Sequence, residues 1–193
     1  MEDLLIERLS RYAPRQLTLD YPEAGVLVPV TDDPDNPEII FTLRSVHMKT
    51  HRGQVAFPGG KRDPEDASLA ETALRETHEE IGLPPDQVRL IAPLSQVMSL
   101  HRIVVTPYVG LVPGDHPLKA NPAEIESIFR VPVSYFLEDK RERTDTLSFQ
   151  HNTLYVPCYR WERYQIWGLS AVVLVDFLNA VYDAGIDILE PPR

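Results

Sequence analysis

The stretch 57–83, FPGGKRDPEDASLAETALRETHEEIGL, decides how the rest of the chain is read. It opens on the double glycine Gly59-Gly60, runs through the acidic loop 63–66 and enters a segment of helical periodicity. Leu69, Ala73, Leu74, Thr77 and Ile81 recur at helical spacing, which predicts a helix over 67–81 with these residues toward the core. Asp66 or Ser68 can cap its start, Gly82 ends it, and Pro84-Pro85 prevents its return. Glu76, Glu79 and Glu80 stand at i, i+3 and i+4, on one helix face. Such like charges repel unless a cation or a strong partner offsets them. Hard divalent ions such as Mg²⁺ take carboxylate oxygens and bridge to phosphates, so the pattern predicts a metal site facing a phosphate-bearing ligand.

The remaining composition narrows the class. The chain has 193 residues, 43% of them hydrophobic, enough for one domain with a real core, and 1–193 is expected to be a single domain. A net charge of −10 argues against a nucleic-acid binder, while leaving room for a small anionic substrate. The one cysteine, Cys158, permits no intrachain disulfide and reads as a small buried hydrophobe. No run reaches about 18 uninterrupted apolar residues. The charged start MEDLLIERLSRY lacks a signal peptide's apolar run, and the final PPR matches no common targeting tail. These features predict a cytoplasmic protein without a membrane partner.

In chain order, 3–12 reads as a short helix, and 24–30 and 38–43 as strands joined across the turn TDDPDNP into a hairpin. The segment 44–52, RSVHMKTHR, is a basic cluster in an acidic protein. Strands are expected at 88–94 and 103–111; 123–129 reads as strand or loop, and 133–137 as a helical turn. A second hairpin is expected from 146–150 and 153–159, and 168–182 as an apolar helix packed on the sheet. Tyr155, Tyr159, Trp161 and Trp167 read as core residues. This order fits a mixed α/β domain.

Clustered acids alone describe a solvated helix face. The combination is more specific. Gly60, an acidic loop, Arg75-Glu76, Glu79-Glu80 and Gly82-Leu83 resemble the signature of the Nudix hydrolase family, G-x5-E-x7-R-E-U-x-E-E-x-G-U. Two departures stand out. The loop is one residue longer, so Asp66, Glu65 or neither replaces its glutamate, and Thr77 occupies an aliphatic position. Upstream, Phe41-Thr42-Leu43-Arg44-Ser45, Lys49, Gly53 and Phe57–Gly60 resemble the extended signature of the coenzyme A pyrophosphatase branch, L-L-T-x-R-S-x3-R-x3-G-x3-F-P-G-G, with Lys49 in place of its second arginine. The 166–171 stretch, IWGLSA, is similar to that branch's closing helix.

The resemblance implies an α/β/α sandwich with a mixed sheet. It implies Mg²⁺ or Mn²⁺ held by Glu76, Glu79 and Glu80, and hydrolysis of the diphosphate of coenzyme A or its derivatives to adenosine 3′,5′-bisphosphate and 4′-phosphopantetheine or its acyl form. Arg75 would pair with and orient a neighbouring glutamate. Arg44 and Lys49 would bind substrate phosphates, and Gly59 and Gly60 would let backbone approach metal and substrate. Glu124 or Glu126 would supply a further carboxylate as base or ligand. Other readings are a hydrolase of another nucleoside diphosphate, such as ADP-ribose, and a non-catalytic nucleotide-binding module.

Overall fold

The computed structural model describes residues 1–47, 53–149 and 152–191; the side chains of Phe149 and Asn152 are left aside. The elements follow the order α1 (Glu2–Ser10), β1 (Glu23–Thr31), β2 (Glu38–Arg44), β3 (Val55–Ala56), β4 (Gly59–Lys61), α2 (Leu69–Ile81), β5 (Arg89–Pro93), β6 (Val97–Met98) and β7 (Val104–Val112). There follow β8 (Ile125–Pro132), α3 (Val133–Leu137), β9 (Arg141–Phe149), β10 (Asn152–Trp161), β11 (Tyr164–Ile166) and α4 (Gly168–Tyr182). The ambiguous 123–129 segment is therefore largely strand, and the second hairpin is longer than its alternation predicts.

β1 and β7 run parallel through the centre of the main sheet, and its other pairings are antiparallel. β1 is buried on both faces, which accounts for its unbroken apolar run. The expected β1–β2 hairpin forms only at Val30 and Ile39. Beyond that pair the two strands part. The segment 55–61 fills the gap, with Thr42 and Leu43 of β2 pairing Ala56 and Val55. On the other side, Ala24, Gly25 and Val26 of β1 pair Lys61, Gly60 and Gly59. The double glycine is thus wedged into the sheet rather than being a free turn. β9, β10 and β11 form a separate three-stranded sheet.

One face of the main sheet is covered by α2, through Leu27 and Ile40 against Ile81 and Leu83. The other face holds the larger core, where Ile39 and Phe41 join Leu5 and Leu9 of α1 and Val173, Leu174 and Phe177 of α4. Helices on two faces of a mixed sheet give the α/β/α arrangement. α2 starts two residues later than its periodicity predicts, because Ser68, not Asp66, is the cap: its hydroxyl accepts the Glu71 N–H at 3.1 Å. Gly82 closes the helix in the left-handed conformation (φ 69°), its N–H donating to the His78 carbonyl.

The buried side of α2 differs from its apolar pattern. Thr72, Ala73, Thr77, Glu80 and Ile81 are buried, while Leu69 and Leu74 are only half-buried. The cause is close packing on β1. A Cβ at Gly25 would collide with the Leu69 carbonyl oxygen and lie 3.1 Å from the Ala73 nitrogen. The helix backbone therefore rests on the strand, and small residues line the contact. Thr77 tolerates burial because its hydroxyl donates to the Ala73 carbonyl at 2.6 Å. Tyr159 and Cys158 are fully buried, whereas Trp167 is 38% exposed, contrary to its expected place in the core.

Candidate active site

The wedge between β1 and β2 brings the upstream signature against the carboxylate helix. Glu80, 2% exposed, accepts from the Gly59 N–H at 3.1 Å through Oε2 and from Arg44 Nη1 at 3.2 Å through Oε1. Gly59 sits at φ 150°, and a Cβ there would lie 2.8 Å from Val26 Cγ1. Only glycine lets this N–H reach the carboxylate from within the sheet. At Gly60 a Cβ would lie 2.6 and 2.7 Å from the Glu76 carboxylate oxygens. The absent side chain is the space in which the Glu76 carboxylate stands.

Arg75 spans the face of the helix. Its Nη1 donates to Glu76 Oε1 at 2.9 Å and lies 3.4 Å from Glu79 Oε1. Its other edge is held by Asp66, through Nε to Oδ1 and Nη2 to Oδ2, each at 2.9 Å. Asp66 is buried and also accepts from the Thr72 hydroxyl at 2.8 Å and the Asp63 N–H at 2.9 Å. Together these donors, Arg75 above all, hold its carboxyl well below the usual carboxylate range. The lengthened loop thus commits Asp66 to Arg75, and Glu65 remains exposed.

The loop after β7 supplies a fourth carboxylate. Lys119 N–H donates to the Ile81 carbonyl and Asn121 N–H to the Glu80 carbonyl, both at 2.9 Å, so the loop satisfies the open C-terminal end of α2. Ser45 N–H donates to the Glu124 carbonyl at 2.8 Å. These backbone bonds dock Glu124 beside the helix, where its charge pushes up both Glu76 and Glu80. Glu126 is exposed and acts on Arg163 instead. Burial is the largest influence on Glu80 and raises it to about 7, against the opposing pull of Arg44 and Gly59. Burial also raises Glu76.

The donor set suits a hard divalent cation: carboxylate oxygens on one helix face, one of them deeply buried. Among the described residues no three His, Cys, Asp or Glu side chains stand close enough together, in their present rotamers, to hold a metal ion. Glu79 is half-exposed, and Glu76 is turned onto Arg75. Arg44 Nε is buried without a hydrogen-bond partner among the described residues. Lys49, with His51 and Arg52, lies outside the described residues.

A NUDIX domain family model matches residues 22–149, a span that includes β1, the wedge, α2 and Glu124. The chain belongs to the Nudix family. It is 35% identical over 174 residues to the uncharacterized Nudix hydrolase NudL of Escherichia coli O139:H28, covering 89% of this chain and 90% of the relative. Its identity to the same-named protein of Salmonella paratyphi B is 38% over 157 residues, 81% of each chain. A MutT/nudix family protein from Enterococcus faecalis shares the fold with a TM-score of 0.59 at 16% identity, covering 95% of this chain and 70% of that one. An Ap4A hydrolase of C. elegans superposes with a TM-score of 0.50 at 16% identity, over 61% of this chain and 84% of that one. This Nudix protein is accordingly a hydrolase of α/β architecture, from a family whose members generally need divalent metal ions. No helix among the described residues is long and apolar enough to cross a membrane.

Two parts of this site escape a reading of the sequence: Gly25 carries no motif, and nothing marks the 119–121 loop as the segment that closes the end of α2. Glu124 and the acid of the lengthened loop are named by the resemblance, and the structure brings Glu124 beside α2 and sets Asp66, rather than Glu65, on Arg75.

Proposed function

We propose that this Nudix hydrolase cleaves the diphosphate of coenzyme A or its derivatives. The observation that carries the reading is the double hold on Glu80. Arg44 and Gly59, both within the extended signature that resembles the coenzyme A branch, meet one buried carboxylate of the Nudix helix. Signature and catalytic helix therefore form one site.

Glu76, Glu79 and Glu80 would hold Mg²⁺ or Mn²⁺. When bound, such an ion neutralises charge on diphosphate oxygens and lowers the pKa of a bound water. Arg44, and Lys49 from the basic segment, bind the substrate phosphates. Glu124 accepts the proton of the attacking water. That water adds to one phosphorus, the bridging P–O bond breaks, and the other phosphate leaves with the bridging oxygen. The products are adenosine 3′,5′-bisphosphate and 4′-phosphopantetheine or its acyl form. Arg75 and Asp66 are positioning residues, keeping Glu76 and Glu79 over the glycine wedge.

The test is incubation of the full chain with coenzyme A, ADP-ribose or a dinucleotide in Mg²⁺ or Mn²⁺, with products identified by mass. Cleavage of coenzyme A above the other two supports the assignment. Preference for ADP-ribose moves the protein to another nucleoside diphosphate, and calorimetric absence of metal uptake makes it a binding module.

A further inference from the structure

Two adjoining cavities, of about 270 and 640 Å³, open between β2–β3 and the small sheet. Gly53, Gln165 and Trp167 line both, so they form one groove. Its volume is in the range of small-molecule sites. Nothing in the hydrolytic scheme above uses it.

Its lining combines aromatic surface with positive charge in a chain of net charge −10. Arg143, Arg160 and Arg163 all border it. Arg160 is held by Glu142 and Arg143 by Asp145, each at 2.7 Å. Arg163 has no carboxylate within ion-pair distance among the described residues; its Nη2 lies 3.3 Å from the Tyr164 hydroxyl and its guanidinium over that ring. Tyr164 is fixed in turn by a parallel stack on Phe129, with centroids 3.7 Å apart. Trp167, 38% exposed, presents aromatic surface at the mouth. It is also the residue at which α4 begins, without a side-chain cap, so the positive end of that helix dipole lies at the groove.

Position links the groove to the catalytic site. Leu43 and Val55, a cross-strand pair, border the smaller cavity. The residue after Leu43 is Arg44, which reaches Glu80. The groove thus begins one residue along β2 from Arg44, on the face of the sheet away from α2. A diphosphate ester held at Glu80 would carry its nucleoside round the end of β2.

We infer that this groove binds a phosphorylated nucleoside, the base against Trp167 and a phosphate monoester on Arg163, and so selects substrates bearing a phosphate on the sugar remote from the scissile bond. This rests on the coenzyme A reading, because that substrate carries such a phosphate at the ribose 3′ position. An exposed aromatic face suits the base, and a guanidinium held by Tyr164 but without a carboxylate in ion-pair distance among the described residues suits the phosphate; Glu126 and Glu162 are the nearby acids that act on it.

Two measurements test it separately from the activity. The chain has two tryptophans, so Trp161→Phe leaves Trp167 as the sole indole. In that variant, adenosine 3′,5′-bisphosphate is expected to quench the fluorescence saturably, 4′-phosphopantetheine is not, and adding Arg163→Gln weakens the binding about tenfold. Circular dichroism checks that both variants fold. With turnover, Arg163→Gln lowers kcat/KM for coenzyme A about tenfold more than for 3′-dephospho-coenzyme A, through KM. Saturable quenching without coenzyme A cleavage keeps the groove and removes the proposed substrate. Cleavage in which Arg163→Gln leaves the preference for the 3′-phosphate intact, or absence of quenching by the bisphosphate, overturns the groove.

Discussion

Asp66 lies edge-on to the Arg75 guanidinium, Oδ1 to Nε and Oδ2 to Nη2, each at 2.9 Å. This paired contact fixes a side chain whose other prong carries Glu76 and approaches Glu79. A carboxylate in the loop before α2 thereby sets the geometry of two on the helix face. It also explains how a box with a lengthened loop keeps its arginine in place.

Asp66→Asn keeps the shape and removes the charge. Turnover is expected to fall about 10–100-fold, the usual loss when a partner behind a metal ligand is removed. Glu65→Gln, at an exposed position, leaves turnover unchanged. The pH dependence has a definite sign. A carboxyl lowered in the folded state adds stability above its unfolded pKa of about 4, and that stability is lost as pH falls below this value. Urea denaturation should therefore show the wild type more stable than Asp66→Asn at pH 7, with the gap closing in acid. A constant gap from pH 7 to pH 2.5 would contradict the charged pairing.

Glu80 carries the opposite sign. Its folded pKa is raised to about 7, so between about 4.5 and 7 the folded state binds more protons than the unfolded one. Stability contributed by this group falls as pH rises through that window, by roughly 3 kcal/mol in total. Glu80→Gln should flatten this slope and abolish turnover. Mg²⁺ or Mn²⁺ should restore wild-type stability at pH 8, by about 2.7 kcal/mol at a concentration one hundred times Kd. Thermal melts against pH, with and without metal, read both effects. An unchanged slope in Glu80→Gln would place the titration elsewhere.

Two glycines separate packing from chemistry. Gly25→Ala drives a Cβ into the Leu69 carbonyl, a backbone atom that cannot step aside, so α2 must lift from β1. A loss of about 1–3 kcal/mol is expected, with activity falling as the helix shifts. Gly60→Ala meets instead the far end of the Glu76 side chain, which can rotate away. It should fold with nearly wild-type stability and lose turnover. Paired denaturation and rate measurements distinguish them, and equal destabilisation by both would sink the contrast.

Sequence pattern and structure agree where one local force acts. The helix stop at Gly82, the apolar strand β1 and the full length of α4 follow from backbone preference and hydrophobic period. The clustering of Glu76, Glu79 and Glu80 follows from helix geometry alone. Agreement fails where distant segments meet. Ala73, Thr77 and Ile81 are buried as their period suggests, yet the close approach of Gly25 to the helix backbone brings Thr72 inward as well and leaves Leu69 and Leu74 half-buried. Glu124 and Glu126 read alike in sequence; Glu124 is the one beside α2 because two loop N–H groups close the end of that helix, a partnership between backbone atoms that leaves no trace in side-chain pattern. Trp167 looks like core by composition, yet it stands at the start of α4 and is 38% exposed.

Arg44 gives the sharpest separation of roles, because it balances Glu80 and, in the proposed reaction, also binds phosphate. Arg44→Ala leaves Glu80 buried without its cation. At pH 5 the carboxyl escapes by protonation and the loss should stay near 1 kcal/mol. At pH 8 an uncompensated charge remains, and the loss should approach about 3 kcal/mol. Adding Glu80→Gln should recover most of that difference, a coupling that a double-mutant cycle in chemical denaturation reads directly. Arg44→Lys restores the charge, and with it stability at pH 8, but lacks the planar fork. KM for the diphosphate substrate should therefore stay raised about tenfold while kcat recovers. Full recovery of KM in Arg44→Lys would reduce Arg44 to a counter-charge, and phosphate binding would then rest on other residues of the basic segment.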